Sequence, residues 1–176
     1  MLWLTASPYF ADLRVLHHAD DEPDDLDLTQ AFSGTVRVAG DIVTWSHDLD
    51  TTARFAEYTD SGRVLGAKNL LVEVGEDYEE RWVRAAPFDS FSAAAELRRA
   101  GGAEPVVARM VVVADFAIAV WSTSERGSAR LRREGDWCIE TLVGASVPEA
   151  ELPELAKLAS SLSREEELPG GWVRVR

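Results

Sequence analysis

The chain has one cysteine, three histidines, and 18 basic side chains against 31 acidic ones. A single cysteine, Cys138, cannot form an internal disulfide, and its place between Trp137 and Ile139 marks it as an inert strand thiol. The formal net charge of -13 repels phosphate backbones and anionic lipid headgroups, so nucleic acid and membrane surfaces are poor partners. No apolar run reaches the roughly eighteen residues that a membrane-spanning helix needs. The apolar opening is not read as a signal peptide, because no basic segment precedes it and Asp12 and Arg14 interrupt it. A cytoplasmic location is therefore expected. The sequence also lacks a CxxC pair, a Gly-rich phosphate loop and a nucleophile elbow. His17 and His18 adjoin Asp20, Asp21 and Glu22, but adjacent residues of an extended chain point in opposite directions and chelate poorly. A solvated acidic loop explains that stretch, and no metal site is expected.

What the chain does have is six tryptophans, each in a different segment with strand character: Trp3, Trp45, Trp82, Trp121, Trp137 and Trp172. Large aromatics favour strands and gain most from burial, so the pattern predicts strands that each bring one indole to a shared interior. At 176 residues the chain fits one domain, 1–176, able to bury roughly 70% of its unfolded surface.

Turn chemistry supplies the organisation. Residues 2–16 read as strand, broken at Ser7-Pro8 by a bulge or strand edge. The acidic run from Ala19 to Asp27 reads as a mobile, solvated loop. Phe32 to Val38 and Ile42 to Leu49 form a hairpin about Gly40-Asp41. Asp60-Ser61-Gly62 reads as a turn before strands Arg63 to Ala67, Leu70 to Val74 and Tyr78 to Arg84. Ala93 to Ala100 reads as a short helix stopped by Gly101-Gly102. Val106 to Val113 pairs with Phe116 to Ser122, and Ala129 to Arg133 with Trp137 to Val143. Residues 148–162 form the one amphipathic helix, with Leu152, Leu155, Leu158, Ala159 and Leu162 on one face and capping-box spacing at Ser146 and Glu149. Trp172 to Val175 reads as a closing strand. The predicted fold is all-β, a single antiparallel barrel of roughly eight to ten strands with one C-terminal amphipathic helix.

Leu2-Trp3-Leu4-Thr5 and Tyr9-Phe10-Ala11-Asp12-Leu13-Arg14, the hairpin from Phe32 to Asp50, and Asp77-Tyr78-Glu79-Glu80-Arg81-Trp82 occur in this order in the first half. In this they resemble a largely uncharacterised calycin family of lipocalin-like small bacterial proteins with fungal relatives. The resemblance implies a lipocalin-like barrel and supplies no reaction and no ligand.

Strand parity then selects candidate site residues. Asp12 and Arg14 share a face with Phe10, His47 shares one with Trp45, and Tyr78 and Glu80 share one with Trp82. If the indoles point inward, these polar groups do so too, and buried charges need partners. Arg14 can neutralise Asp12 or Glu80, and His47 beside such a carboxylate can act as a general acid or base. The expected ligand-binding set is therefore Asp12, Arg14, Trp45, His47, Tyr78, Glu80 and Trp82. The leading reading is a barrel that binds a small, largely apolar molecule between aromatic walls. The alternatives are a cofactor-free cyclase, isomerase or dehydratase using the same cavity, and a solidly packed structural barrel in which Arg14 only ties strands. No cofactor is expected; haem would need an axial histidine, and His47 is the sole strand candidate.

Overall fold

The structure, a computed structural model, describes residues 1–14, 30–51, 59–67, 70–76, 78–87, 89–98, 106–122, 126–144, 152–164 and 172–175. Thirteen strands and one helix lie among them, in two antiparallel sheets. The first sheet is a seven-stranded meander in chain order: β1 (Leu2–Ala6), β2 (Tyr9–Arg14), β3 (Gln30–Ala39), β4 (Ile42–Asp50), β5 (Thr59–Ala67), β6 (Leu70–Val74) and β7 (Glu79–Val83). The second contains β8 (Ser92–Arg98), β9 (Val106–Val113), β10 (Phe116–Ser122), β11 (Arg126–Glu134), β12 (Asp136–Gly144) and β13 (Trp172–Val175). Its spatial order is β12-β11-β10-β9-β8-β13. Helix α1 spans Leu152–Ser163.

The antiparallel β class and the C-terminal helix agree with the sequence reading. The strand count and the closure do not. The hydrogen bonding resolves two sheets where one barrel was expected, and among the described residues β1 and β7, the edges of the first sheet, pair with β2 and β6 alone. The first sheet curls until its edges meet through side chains: Trp3 lies 5.4 Å from Trp82, ring to ring, and Arg14 hydrogen-bonds Glu80. It is a half-barrel with a side-chain seam.

Three apolar layers follow from strand parity. On one face of the first sheet, Leu4, Ala11, Leu13, Ala31 and Leu49 pack against Ala94, Val111, Ile118 and Val120 of the second. The opposite face of the second sheet, with Met110, Val112, Ala117 and Leu131, is covered by Leu155, Leu158, Ala159 and Leu162 of α1. The inner face of the curl holds Phe10, Phe32, Val43 and Trp45, with Trp3, Val36 and Val64 against them.

Several local expectations change. Ser7-Pro8 is the turn of a β1–β2 hairpin, with Ala6 paired to Tyr9, where a bulge or strand edge was expected. Asp60-Ser61-Gly62 lies inside β5, paired with Val43, Thr44 and Trp45 of β4, so turn-forming composition yielded to sheet pairing. Ala93 to Arg98 is strand, not helix. Successive alanines there serve two layers, Ala94 facing the first sheet and Ala95 facing α1, an alternation a helix could not supply. The closing strand Trp172–Val175 pairs with β8, at the edge of the second sheet. The acidic run 19–27, the Gly101-Gly102 stop and the helix cap at Ser146 and Glu149 lie outside the described residues.

The tryptophans serve two interiors, not one. Trp3, Trp45 and Trp82 meet inside the curl, whereas Trp121 and Trp137 pack in the layer under α1. Trp45 and Trp137 are buried, and Trp3, Trp82 and Trp121 are half-buried. The side chain of Trp172 lies outside the described set.

Candidate functional site

The curl forms a half-open cavity of about 210 Å³. Its walls are Trp3, Phe10, Phe32, Trp45 and Trp82, and its polar lining is Asp12, Arg14, Gln30, His47, Asp60 and Glu73. Alternation along each strand puts them there: residues 10, 12 and 14 of β2, 30 and 32 of β3, and 45 and 47 of β4 share the inner face. Past His47 the alternation breaks. A register shift sets Ser33 opposite Leu49 and Gly34 opposite His47, which leaves Asp48 unpaired in a bulge. Gly34 permits it, since a Cβ there would collide with the carbonyl oxygen of Ser46.

Arg14 is the cation of the cavity. Its Nε donates to Asp12 Oδ2 at 2.9 Å and its Nη1 to Glu80 Oε1 at 3.1 Å, while the guanidinium carbon stands 5.3 Å from the centre of the Phe32 ring. The Asp12 side chain is 3% exposed. Burial pushes its carboxyl up to about 6, with Arg14 opposing the shift and Glu80 adding to it. For Arg14, burial disfavours the charge, but Asp12 and Glu80 outweigh it and its pKa rises.

A second polar group sits beside this one. The Tyr78 hydroxyl lies 2.6 Å from Glu73 Oε1 and 3.3 Å from Asp60 Oδ2. One hydroxyl proton can serve only one acceptor fully, and the shorter contact assigns it to Glu73. Burial raises the Glu73 pKa against that hydrogen bond. Burial and the same bond raise that of Tyr78, so the phenol stays protonated. Gly75 makes room for the ring, because a Cβ there would overlap it.

His47 is stacked on Phe32, with ring centres 4.3 Å apart and planes inclined by 11°, and Phe10 flanks it at 5.6 Å. Burial lowers its pKa despite Asp50 and Asp60 nearby, so the imidazole is neutral at pH 7. It forms part of the wall.

Four buried polar atoms in and beside this cavity have no hydrogen-bond partner among the described residues: the indole nitrogens of Trp3 and Trp82, Asp12 Oδ1 and Glu80 Oε2. Two are donors and two are acceptors. Leaving such a group unsatisfied costs on the order of 1–3 kcal/mol, so a concentration of four is a local deficit of partners.

All seven residues expected at the site lie at or against this cavity. Asp12, Arg14, Trp45, His47 and Trp82 line it, Glu80 binds Arg14, and Tyr78 holds the lining carboxylates Glu73 and Asp60. The expected set left out Trp3 and Phe10, which the sequence reading turns inward with the other aromatics, and missed Gln30, Phe32, Asp60 and Glu73. About half of the residues lining the cavity are polar.

The sequence reading missed a second buried ionic group too. Arg109 of β9, 1% exposed, lies between the sheets. It donates to Asp48 at 2.7 and 2.9 Å, to Glu96 at 2.6 Å and to Ser33 Oγ at 3.2 Å, and stacks over Tyr9. This group joins β9 and β8 to β2, β3 and β4 on the far face of the first sheet from the cavity.

Among the described residues no three His, Cys, Asp or Glu side chains converge as a metal site, and no helix is long and apolar enough to cross a membrane. His17 and His18 lie outside the described residues. Cys138 is exposed on β12. No protein-family profile, curated protein or solved structure matches this chain.

Proposed function

We propose that this protein is a cytoplasmic, calycin-like binding protein that holds one small molecule inside the curl of its first sheet. The observation that carries the reading is the set of four unsatisfied polar atoms, Trp3 Nε1, Trp82 Nε1, Asp12 Oδ1 and Glu80 Oε2, around an aromatic-walled cavity. Polar atoms that no protein group pairs, set beside a cavity, are available to orient a guest. The cavity of about 210 Å³ holds roughly seven waters at their liquid volume, which suits a small metabolite rather than a long lipid. The seven-strand meander wrapped around it supports the calycin-like assignment. With half of the lining polar, the guest has an apolar body and a polar end.

Intrinsic tryptophan fluorescence tests this directly, because Trp3, Trp45 and Trp82 form the walls. Titration with a panel of small amphipathic compounds should give saturable quenching and a matching rise in melting temperature for at least one chemical class. A panel that leaves both signals unchanged overturns the proposal.

A further inference from the structure

We propose that the guest is a small organic ammonium ion, its apolar body against the indoles and its N–H donors directed at Asp12. This rests on the binding role proposed above and adds the charge of the guest. The cavity and its immediate surroundings hold four carboxylates, Asp12, Asp60, Glu73 and Glu80. Against them stands one guanidinium, Arg14, already committed to Asp12 Oδ2 and Glu80 Oε1. His47 adds no charge, and Tyr78 supplies a single proton to Glu73 and Asp60. Negative charge is in excess, and aromatic side chains line the same cavity.

The unsatisfied oxygens point to the same chemistry. Asp12 is 2% exposed, lines the cavity, and keeps Oδ1 without a donor among the described residues; Glu80 Oε2, beside the cavity on the partly exposed Glu80 side chain, also has no donor among them. An ammonium group brings several donors and a compensating charge to that place. Trp3, Trp45 and Trp82 line the cavity, and a cation set over an indole face is favoured by the ring quadrupole. An anionic guest would add to the excess charge, and a neutral one would leave it in place. The indole N–H groups of Trp3 and Trp82 remain for an oxygen on the guest.

The experiment compares 2-phenylethylamine, 2-phenylethanol and phenylacetate, which keep the same aromatic body and differ in the charge of the polar end. Binding to the full chain is read by tryptophan quenching and calorimetry at pH 7.5. The amine should bind at least about tenfold more tightly than the alcohol, and phenylacetate more weakly than both. Asp12→Asn should bring the amine down to the level of the alcohol while the near-ultraviolet circular dichroism stays native. If that variant does not fold, Glu73→Gln serves in its place and should lower amine affinity selectively. Equal or tighter binding of the alcohol or of phenylacetate overturns the ammonium assignment and leaves the binding role standing. Failure of all three probes to bind overturns the assignment for this body size, and only the wider panel above decides the binding role.

Discussion

Arg14 on β2 and Glu80 on β7 are hydrogen-bonded at 3.1 Å although no backbone ladder joins their strands. That contact and the Trp3–Trp82 pair join the β7 edge to β1 and β2 across the curl, so the polar seam and the cavity wall are one object. Arg14→Ala therefore acts in two ways. It frees the β7 edge and leaves Asp12 buried without its counter-ion. The expected cost is about 1–3 kcal/mol in urea unfolding at pH 7, with loss of ligand quenching. At pH 5 the stability cost should shrink, because Asp12 can then take up a proton. A cost independent of pH would show that Asp12 does not depend on Arg14.

Asp12 sets a pH dependence of defined sign. Its carboxyl is raised to about 6 in the folded chain from an ordinary value of 3.8, so the folded state holds a proton that the unfolded state has already lost. Its contribution to stability is full below about 4 and is lost as the pH rises through about 6. Arg14, Glu73, Asp60 and His47 line the same space and Glu80 binds Arg14 beside it; Glu73 shifts in the same direction as Asp12, while the lowered pKa of His47 acts in the opposite one. At 1.36 kcal/mol per unit, the swing from Asp12 is at most about 3 kcal/mol. Denaturation between pH 4 and 7 should show this fall in the native chain and a flatter profile in Asp12→Asn. An ammonium guest needs the ionised form, so its affinity should fall as the pH drops through about 6, opposite to the stability trend.

The legible part of the site was the part written in strand parity. Asp12 and Arg14 stand two apart beside Phe10, and His47 two from Trp45, so placing the aromatics inward placed the charges inward as well. Asp60 was hidden by its own neighbours, since Asp-Ser-Gly is turn chemistry and only pairing with β4 makes it strand. Glu73 and Arg109 left a usable signal: each is a lone charge in an apolar run, Leu-Leu-Val-Glu-Val and Val-Val-Ala-Arg-Met-Val. A lone charge in such a strand is either a solvated face or a buried pair, and its partner becomes visible only in three dimensions. The division into two sheets was not legible, because hairpin order is the same for a closed barrel and for two stacked meanders.

The alanines of β8 test why an apparent helix became a strand. Ala95 is fully buried beneath α1, and Ala94 is 3% exposed toward the first sheet. Small side chains on both faces let the layers approach closely here. Ala95→Leu should destabilise by about 1–3 kcal/mol through overpacking against α1. On an exposed helix the same change would be nearly neutral. Urea midpoints at constant m-value decide between them.

Arg109 separates stability from binding. Its guanidinium and the Glu96 carboxylate are almost fully buried and are cross-strand partners in the β8–β9 register, 2.6 Å apart. Arg109→Met removes the cation and leaves Glu96 charged between the sheets, an expected loss of about 3–5 kcal/mol. Adding Glu96→Leu removes the stranded charge and should restore part of that loss, so the two substitutions together should cost less than Arg109→Met alone. Because Arg109 lies on the opposite face of the first sheet from Asp12 and Arg14, the double variant, measured where it is fully folded, should keep the ligand affinity of the native chain. Arg14→Ala should not. A parallel loss of affinity in both would mean that the curl of the first sheet is set by its packing on the second, and the seam between β2 and β7 would then be a consequence of that packing.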